Sequence, residues 1–379
     1  MGWIALRMLT GDKAKFYGLI FGIAFSTLLI GQQLTIFANL LLRGAAAVHE
    51  VASADIWVMH PSGRTTDVTL TLPQTALDRV RGVPGVAWAV PMLRAGAAVR
   101  TPDGDLEPVT VIGVDDATLL GLPTNMVAGA REALAQPDTV FIDDVGSRKL
   151  FGGGDQAMNV RLELNDQRAV VRGIVDANPT FTSTVILYTR YSNALNYVPG
   201  SRNRLSFVLA RAAPGQDPAA VAEAIELQTG LRARPSDVFA QQGIDYIVEN
   251  TGIPINFGIT VALGFIVGVA IVGLTFSLFI RDSIKQFGAL KAIGVTNGKI
   301  RGMVALQAAF IGFVGYSIGI LLAVLFVVVG AATGDAFKGF YIPWQVPVGV
   351  AIAVLLMVFG TGFVALRKVL KTEPAEVFR

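Results

Sequence analysis

Apolar and polar positions are segregated along this chain. Four stretches carry no charged residue at all: Phe16–Leu42, Asn250–Ile280, Gly302–Gly334 and Gly339–Leu366. Each exceeds the roughly 20 apolar residues that cross a bilayer core of about 30 Å. Their pattern predicts four membrane-spanning helices. Between the first and second lies a long block, 43–249, with a different texture. Its strand-like runs are Asp55–Met59, Ala95–Arg100, Val109–Gly113, Asn159–Leu164, Ala169–Val175, Val185–Tyr188 and Leu205–Ala210. Its helix-like runs are Gln74–Arg81, Asp144–Leu150 and Pro218–Gly230, with Asp144 read as a helix N-cap. The predicted fold class is an α-helical membrane protein with four transmembrane helices and a large α+β domain inserted between helices 1 and 2.

Composition sharpens this into a topology. Only 16% of residues are charged, against about 25% in soluble domains, and 53% are hydrophobic. The segments 1–15, 281–301 and 367–379 together hold twelve Lys or Arg and four acids, whereas 43–249 holds eighteen Lys or Arg and twenty-three acids. Loops rich in Lys and Arg stay in the cytoplasm. Both termini and the 281–301 loop are therefore expected inside, and 43–249 is expected to be exported. The short outer loop 335–338 contains Asp335 and Lys338, which are expected to cancel. The basic balance lines membrane ends, so no nucleic-acid partner is expected. Residues 1–15 read as an amphipathic helix with Trp3 at headgroup depth. The first apolar run is too long for a signal-peptide core despite the small residues Ala45–Ala47, so it is read as an uncleaved anchor.

Candidate chemistry is sparse. The chain has no cysteine, which removes thiolate catalysis and Cys-based metal sites. His49 and His60 are the only histidines, and they lack metal-ligand spacing, so no metal site is expected. Gly152-Gly153-Gly154 lacks the spacing of a phosphate loop, and there is no GxxxxGK[ST] sequence. Asp115-Asp116 and Asp143-Asp144 are adjacent pairs whose side chains diverge on a strand. No catalytic set is legible, and the chain is read as a non-enzyme. Glu249, at the mouth of the second span, is a candidate contact for cationic cargo. In the first span Gln32, Thr35 and Asn39 share one helical face, a costly arrangement in lipid unless that face meets another helix or a wet cavity. Gly18/Gly22, Gly264/Gly268 and Gly312/Gly315/Gly319 suggest close helix packing.

The loop 281–301 is the most shaped feature. Ile284, Phe287, Leu290 and Ile293 follow helical spacing, with Lys285, Gln286 and Lys291 off that stripe. Gly294 ends the helix, and Thr296 or Asn297 caps the next. This predicts a short helix, a sharp turn and a second helix: a rigid knob. The apolar stripe either packs against the chain's own helix ends or enters a partner's cleft.

Here the sequence resembles the MacB/FtsX-like ABC permeases, the mechanotransmission or type VII class. The resemblance rests on Phe287-Gly288-Ala289-Leu290-Lys291-Ala292-Ile293-Gly294, with Ile300 and Gln307, and on the ending Lys371-Thr372-Glu373-Pro374-Ala375-Glu376-Val377-Phe378-Arg379. Gly22-Ile23-Ala24-Phe25, Gln32-Gln33 and Ala54–Met59 look closest to the DevC-like branch. Gln286 stands where many relatives have Glu, which removes one charge and keeps the helix pattern. The resemblance implies a homodimer, or a heterodimer, above a cytoplasmic ABC ATPase dimer that binds ATP and Mg. A periplasmic membrane-fusion adaptor and an outer-membrane channel are further implied partners. Ile284, Lys285, Phe287, Leu290, Lys291, Gly294 and Asn297 are then the ATPase-coupling residues, with the stripe expected to contact the ATPase. Gln32, Thr35 and Asn39 are expected at the dimer centre formed by spans one and two. The implied function is export or extraction of a hydrophobic compound, lipid or peptide. An FtsX-like regulator of a periplasmic hydrolase and a lipoprotein-release permease are the alternatives.

Overall fold

A computed structural model describes residues 2–101, 104–178, 185–201, 203–333 and 337–371. Asp103, Asp335 and the family-like tail after Lys371 lie outside them. Two compact units emerge: 1–39 with 252–332 and 340–379, and 40–251 with 333–339.

The first unit is helical. It comprises α1 (Gly2–Gly11), most of α2 (Lys13–His49), and, after the inserted domain with its six helices, α9 (Ile253–Asp282), α10 (Ile284–Ala292), α11 (Asn297–Thr333) and α12 (Gln345–Lys371). Helices α2, α9, α11 and α12 are each long and apolar enough to cross a membrane. Half of the α2 span is buried, against a third of each of the others, so α2 is the innermost helix. The reason is glycine on both neighbours. A Cβ built on Gly268 of α9 would lie 2.8 Å from the Ser26 Cβ, and one on Gly264 would touch Ile30. On α11, a Cβ at Gly315 would lie 2.6 Å from Ile23 and one at Gly319 2.4 Å from Thr27. Lipid offers no hydrophobic drive between helices, so backbones that approach this closely supply the packing energy. Val272, Phe276, Ile311, Val354 and Met357 complete the core around α2.

The second unit is α+β. Its strands are β1 (Ile56–Met59), β2 (Leu72–Pro73), β3 (Val86–Arg100), β4 (Leu106–Val114), β5 (Met126–Gly129), β6 (Thr139–Asp143), β7 (Arg161–Leu164), β8 (Gln167–Val175), β9 (Ile186–Arg190), β10 (Arg204–Leu205), β11 (Phe207–Ala212) and β12 (Arg232–Pro235). Its helices are α3 (Thr75–Arg81), α4 (Asp144–Phe151), α5 (Gly154–Ala157), α6 (Tyr191–Tyr197), α7 (Pro218–Thr229) and α8 (Ser236–Asn250). Ten strands form one mixed sheet in the order β12-β1-β11-β3-β4-β9-β6-β8-β5, with β7 pairing β3 and β8. The β4/β9 and β6/β8 pairs are parallel.

This sheet is covered on both faces. Ile56 and Val58 of β1 and Val208 and Ala210 of β11 join Leu77, Val80, Val221 and Ile225 from α3 and α7. The alternate residues Trp57, Met59, Phe207 and Leu209 join Ala45 and Val48 from the end of α2 and Phe239 and Ala240 from α8. Trp57 meets Phe207 edge-on at 5.2 Å and Phe239 at 5.5 Å. The α2 end and α8 touch backbone to backbone, since a Cβ on Gly243 would lie 2.4 Å from the Gly44 carbonyl oxygen.

Candidate functional site

The α9–α10–α11 connection is built as the sequence pattern suggests, with one reversal. Ser283 closes α9 by donating its N–H to the Phe279 carbonyl (3.0 Å), and it accepts the Phe287 N–H at 3.0 Å as α10 begins. At the other end, the Gly294 N–H reaches the Lys291 carbonyl and the Val295 N–H reaches the Leu290 carbonyl, both at 3.0 Å. That pair of bonds is a Schellman cap. It requires a left-handed residue, and Gly294 has φ +90°. Thr296 accepts the Lys299 N–H through its carbonyl, and Asn297 opens α11.

Within this knob the stripe divides. Phe287 is fully buried in the helical unit's own core with Leu9, Phe279, Ile280 and Ile300, and Leu290 packs half-buried against it. Phe287 is therefore an internal anchor, a correction to its expected role as an ATPase contact. An aromatic ring on a nine-residue helix gains more from the helix ends beside it than from solvent exposure. What the knob presents is Lys285, Gln286, Ala289, Gly294, Asn297 and, above all, Ile293, which is 77% exposed. Ile284 and Lys291 are half-buried. Ile293 was legible as the last residue of the stripe. Its exposure follows from its place one residue before the cap, where the helix face has already turned away.

Beside the knob, the Lys15 ammonium bonds Asp12 at 2.5 Å and also Asp282, tying the start of α2 to the end of α9. The Gln307 side chain of α11 donates to the Ala5 carbonyl at 2.7 Å, which docks α1 on α11. A cleft of about 520 Å³ opens between Trp3, Arg7, Lys15, Asp282 and Gln286.

The polar face of α2 is spent inside the chain. The Thr35 hydroxyl donates to the Gly31 carbonyl at 2.7 Å. The Asn39 amide donates to the Thr35 and Tyr341 carbonyls, both at 2.8 Å, and accepts the Tyr341 N–H at 3.2 Å. Both residues are buried within the chain itself. Asn39 thereby satisfies both the N–H and the carbonyl of Tyr341 ahead of α12. Gln32 is half-buried.

In the α+β unit a charged cluster gathers around the short 333–339 segment. The Lys338 ammonium bonds Asp144, the Asp176 carboxylate at 2.8 Å and the Ala177 carbonyl at 2.7 Å. The expected cancellation with Asp335 involves a residue outside the described set. Asp143, and not Asp144, caps α4 by accepting the Gly146 N–H at 3.0 Å, and its other oxygen accepts the Ile186 N–H at 2.7 Å. Burial nonetheless pushes the Asp143 carboxyl up to about 6. Glu50, unremarked in the sequence, accepts the Asn178 N–H at 2.5 Å and lies 3.5 Å from the Tyr188 hydroxyl. Burial pushes its carboxyl up to about 7. Its only sequence signal was a lone acid directly after a membrane helix. His60 accepts the Ser62 N–H through Nδ1 at 3.1 Å, and Glu249 is exposed. Among the described residues no three His, Cys, Asp or Glu side chains gather to hold a metal ion. The described contacts are helix caps, ion pairs and close-packed helices.

Comparison with known proteins gives the family. Residues 18–228 match the MacB-like periplasmic core domain, and residues 258–374 match the FtsX-like permease C-terminal domain. The chain is 24% identical over 377 residues to the macrolide export ATP-binding/permease protein MacB of Agrobacterium fabrum, covering 95% of this chain and 56% of that protein. It is 26% identical over 190 residues to the uncharacterized ABC transporter permease MJ1507 of Methanocaldococcus jannaschii, covering 48% of this chain and 47% of that one. The chain thus spans about half the length of these curated relatives. Among solved structures it resembles the periplasmic region of MacB from Actinobacillus actinomycetemcomitans (15% identity, TM-score 0.38, 54% of this chain and 96% of that one). It also resembles the extracellular domain of the noncanonic ABC-type transporter YknZ from Gram-positive bacteria (15% identity, TM-score 0.37, 48% and 98%). With the core-domain match spanning more than half of the chain and the permease match following it, this chain belongs to the MacB/FtsX-like family of ABC transporter permeases.

Proposed function

We propose that this chain is the permease subunit of an ABC transporter. A separate cytoplasmic ATPase, which binds the ATP and Mg, drives motion of the α+β domain on the far side of the membrane. The work done there is export or extraction of a hydrophobic compound, lipid or peptide. The observation that carries the reading is the α10 knob: internally anchored by Phe287, capped at Gly294, and presenting an exposed Ile293 among polar neighbours. A loop that merely joined two spans would gain stability from the buried Phe287 but nothing from holding Ile293 in solvent at a capped turn. In this reading two chains pair above two ATPases, and a membrane-fusion adaptor and outer-membrane channel complete the route.

The test separates anchor from contact. Ile293→Asp is expected to leave thermal stability unchanged and to weaken co-purification with the ATPase by about 2 kcal/mol, as for an interface hot spot. Phe287→Ala is expected to lower stability by about 3 kcal/mol or more, because it empties a packed site. Charge reversal at Lys285 should act weakly, through association rate. Wild-type ATPase association and turnover in nanodiscs for Ile293→Asp would overturn the coupling role. Capture of a cell-wall hydrolase, with no transport in vesicles, would favour the regulator instead.

A further inference from the structure

We infer that the groove between α11 and α12 is a binding site for one anionic glycerophospholipid. A cavity of about 690 Å³ lies between these helices, lined by Ala308, Phe359, Gly362 and Phe363, with Arg301 and Arg367 also on its wall. A second cavity of about 420 Å³ continues it, sharing Ala308 and Phe359 and extending to Gly312, Phe313 and Tyr316. The space exists because small residues face each other there. A Cβ on Gly362 would lie 3.8 Å from the Ala308 Cβ, and one on Gly312 3.6 Å from Val358.

The chemistry of this groove is polarised along its length. Arg301 stands one turn into α11 and Arg367 near the end of α12, so the antiparallel pair brings both guanidinium groups to one end. The rest of the wall is aliphatic or aromatic, and among the described residues no acidic side chain lines either cavity. The Arg367 guanidinium lies over the Phe363 ring, 4.7 Å from its centre, which holds it at the groove. Planar guanidinium forks recognise phosphate oxygens bidentately. Basic pockets between membrane helices recognise anionic headgroups in this way. From Arg301 to Tyr316 the wall runs about 22 Å along the helix, enough to seat an acyl chain within a leaflet about 15 Å deep. A free phosphate would use only the arginines. A lipid uses the whole groove, and this is the occupant that fits both ends.

Native mass spectrometry of the full chain in mild detergent, offered phosphatidylglycerol and phosphatidylcholine together, tests this. The expected result is retention of one phosphatidylglycerol, with phosphatidylcholine displaced. Removing both arginines in an Arg301→Ala, Arg367→Ala variant should weaken retention about tenfold or more. Filling the groove by Ala308→Phe should abolish retention while the arginines remain. Equal retention of the two lipids by the unmodified chain would overturn the proposal without reliance on any variant. So would undiminished binding in the double-arginine variant, competition by inorganic phosphate alone, or a photocrosslinker at Ala305 that captures a second copy of the chain and no lipid.

Discussion

Glu50 and Asp143 are acids held where an ion is disfavoured. The Glu50 carboxyl is pushed from an ordinary 4.5 up to about 7, chiefly by desolvation, although the Asn178 N–H and the Lys338 charge pull the other way. A folded-state value above the unfolded one means the folded protein binds the extra proton. Stability from Glu50 is therefore greatest below pH 4.5 and falls as pH rises towards about 7. Asp143 acts in the same direction between 3.8 and about 6. Thermal unfolding of the full chain, followed by Trp57 and Trp88 emission, is expected to show a melting temperature that falls between pH 5 and 7.5. Glu50→Gln should flatten that slope and add up to about 3 kcal/mol at pH 7.5. A slope unchanged in Glu50→Gln would show that the carboxyl is solvated. Neither the burial of Asp143 nor the half-burial of Glu50 was identifiable from sequence. Asp143 and Asp144 are neighbours of identical type, and only the turn geometry decides that Asp143 caps and Asp144 meets Lys338.

The membrane helices were legible because lipid tolerates no charge along a span, and the absence of charge is visible in any window. The strands were legible where one face differs from the other or where a run is long. Strand β6 escaped because Val140 and Ile142 enter one core and Phe141 the other, so alternation vanishes. Helix α8 carried an unread signal: Phe239, Ala240, Gly243 and Ile247 fall on one helical face, and all are buried. The glycine spacings on α9 and α11 predict close packing, but only the structure shows that Gly264, Gly268, Gly315 and Gly319 face α2 while Gly312 faces Val358 of α12. Gly319→Val is expected to prevent the folded bundle from accumulating, since its Cβ would also meet the Ala24 carbonyl oxygen at 2.6 Å. Gly349→Ala, with nothing within 4 Å, should be neutral or slightly stabilising, because alanine favours helix by about 1 kcal/mol. Detergent-stable yield and melting temperature of the two variants distinguish a packing glycine from an incidental one.

At the scale of the molecule, the charge distribution proposes an orientation that a Cys-free chain makes easy to check. In spheroplasts, Leu227→Cys, 80% exposed on the α+β unit, is expected to react with an impermeant maleimide. Ala292→Cys in the α10 turn should react only after permeabilisation. The opposite pattern would invert the proposed topology. The grouping of 333–339 with the α+β unit was not legible, because Lys338 is a single cation in a short loop. Its partners, Asp144 and Asp176, lie some 160 to 195 residues away in sequence. Such long-range pairings leave no local pattern. The α10 knob was half legible: spacing placed the stripe, while burial decided that Phe287 anchors and Ile293 is exposed.

The close approach of α2 to its glycine neighbours has a consequence for how stable the bundle is. Where Gly268 and Gly319 press against α2, the Ser26 and Thr27 hydroxyls are buried with no hydrogen-bond partner. An unmet polar group in a dry seam costs about 1–3 kcal/mol, so Ser26→Ala and Thr27→Val are expected to raise the melting temperature of the bundle. If those sturdier variants also transport more slowly, the two hydroxyls mark a stability–activity trade-off, with the seam kept easy to part. If transport is unchanged, the cost carries no benefit to turnover, and the seam is simply a place where the chain can be improved.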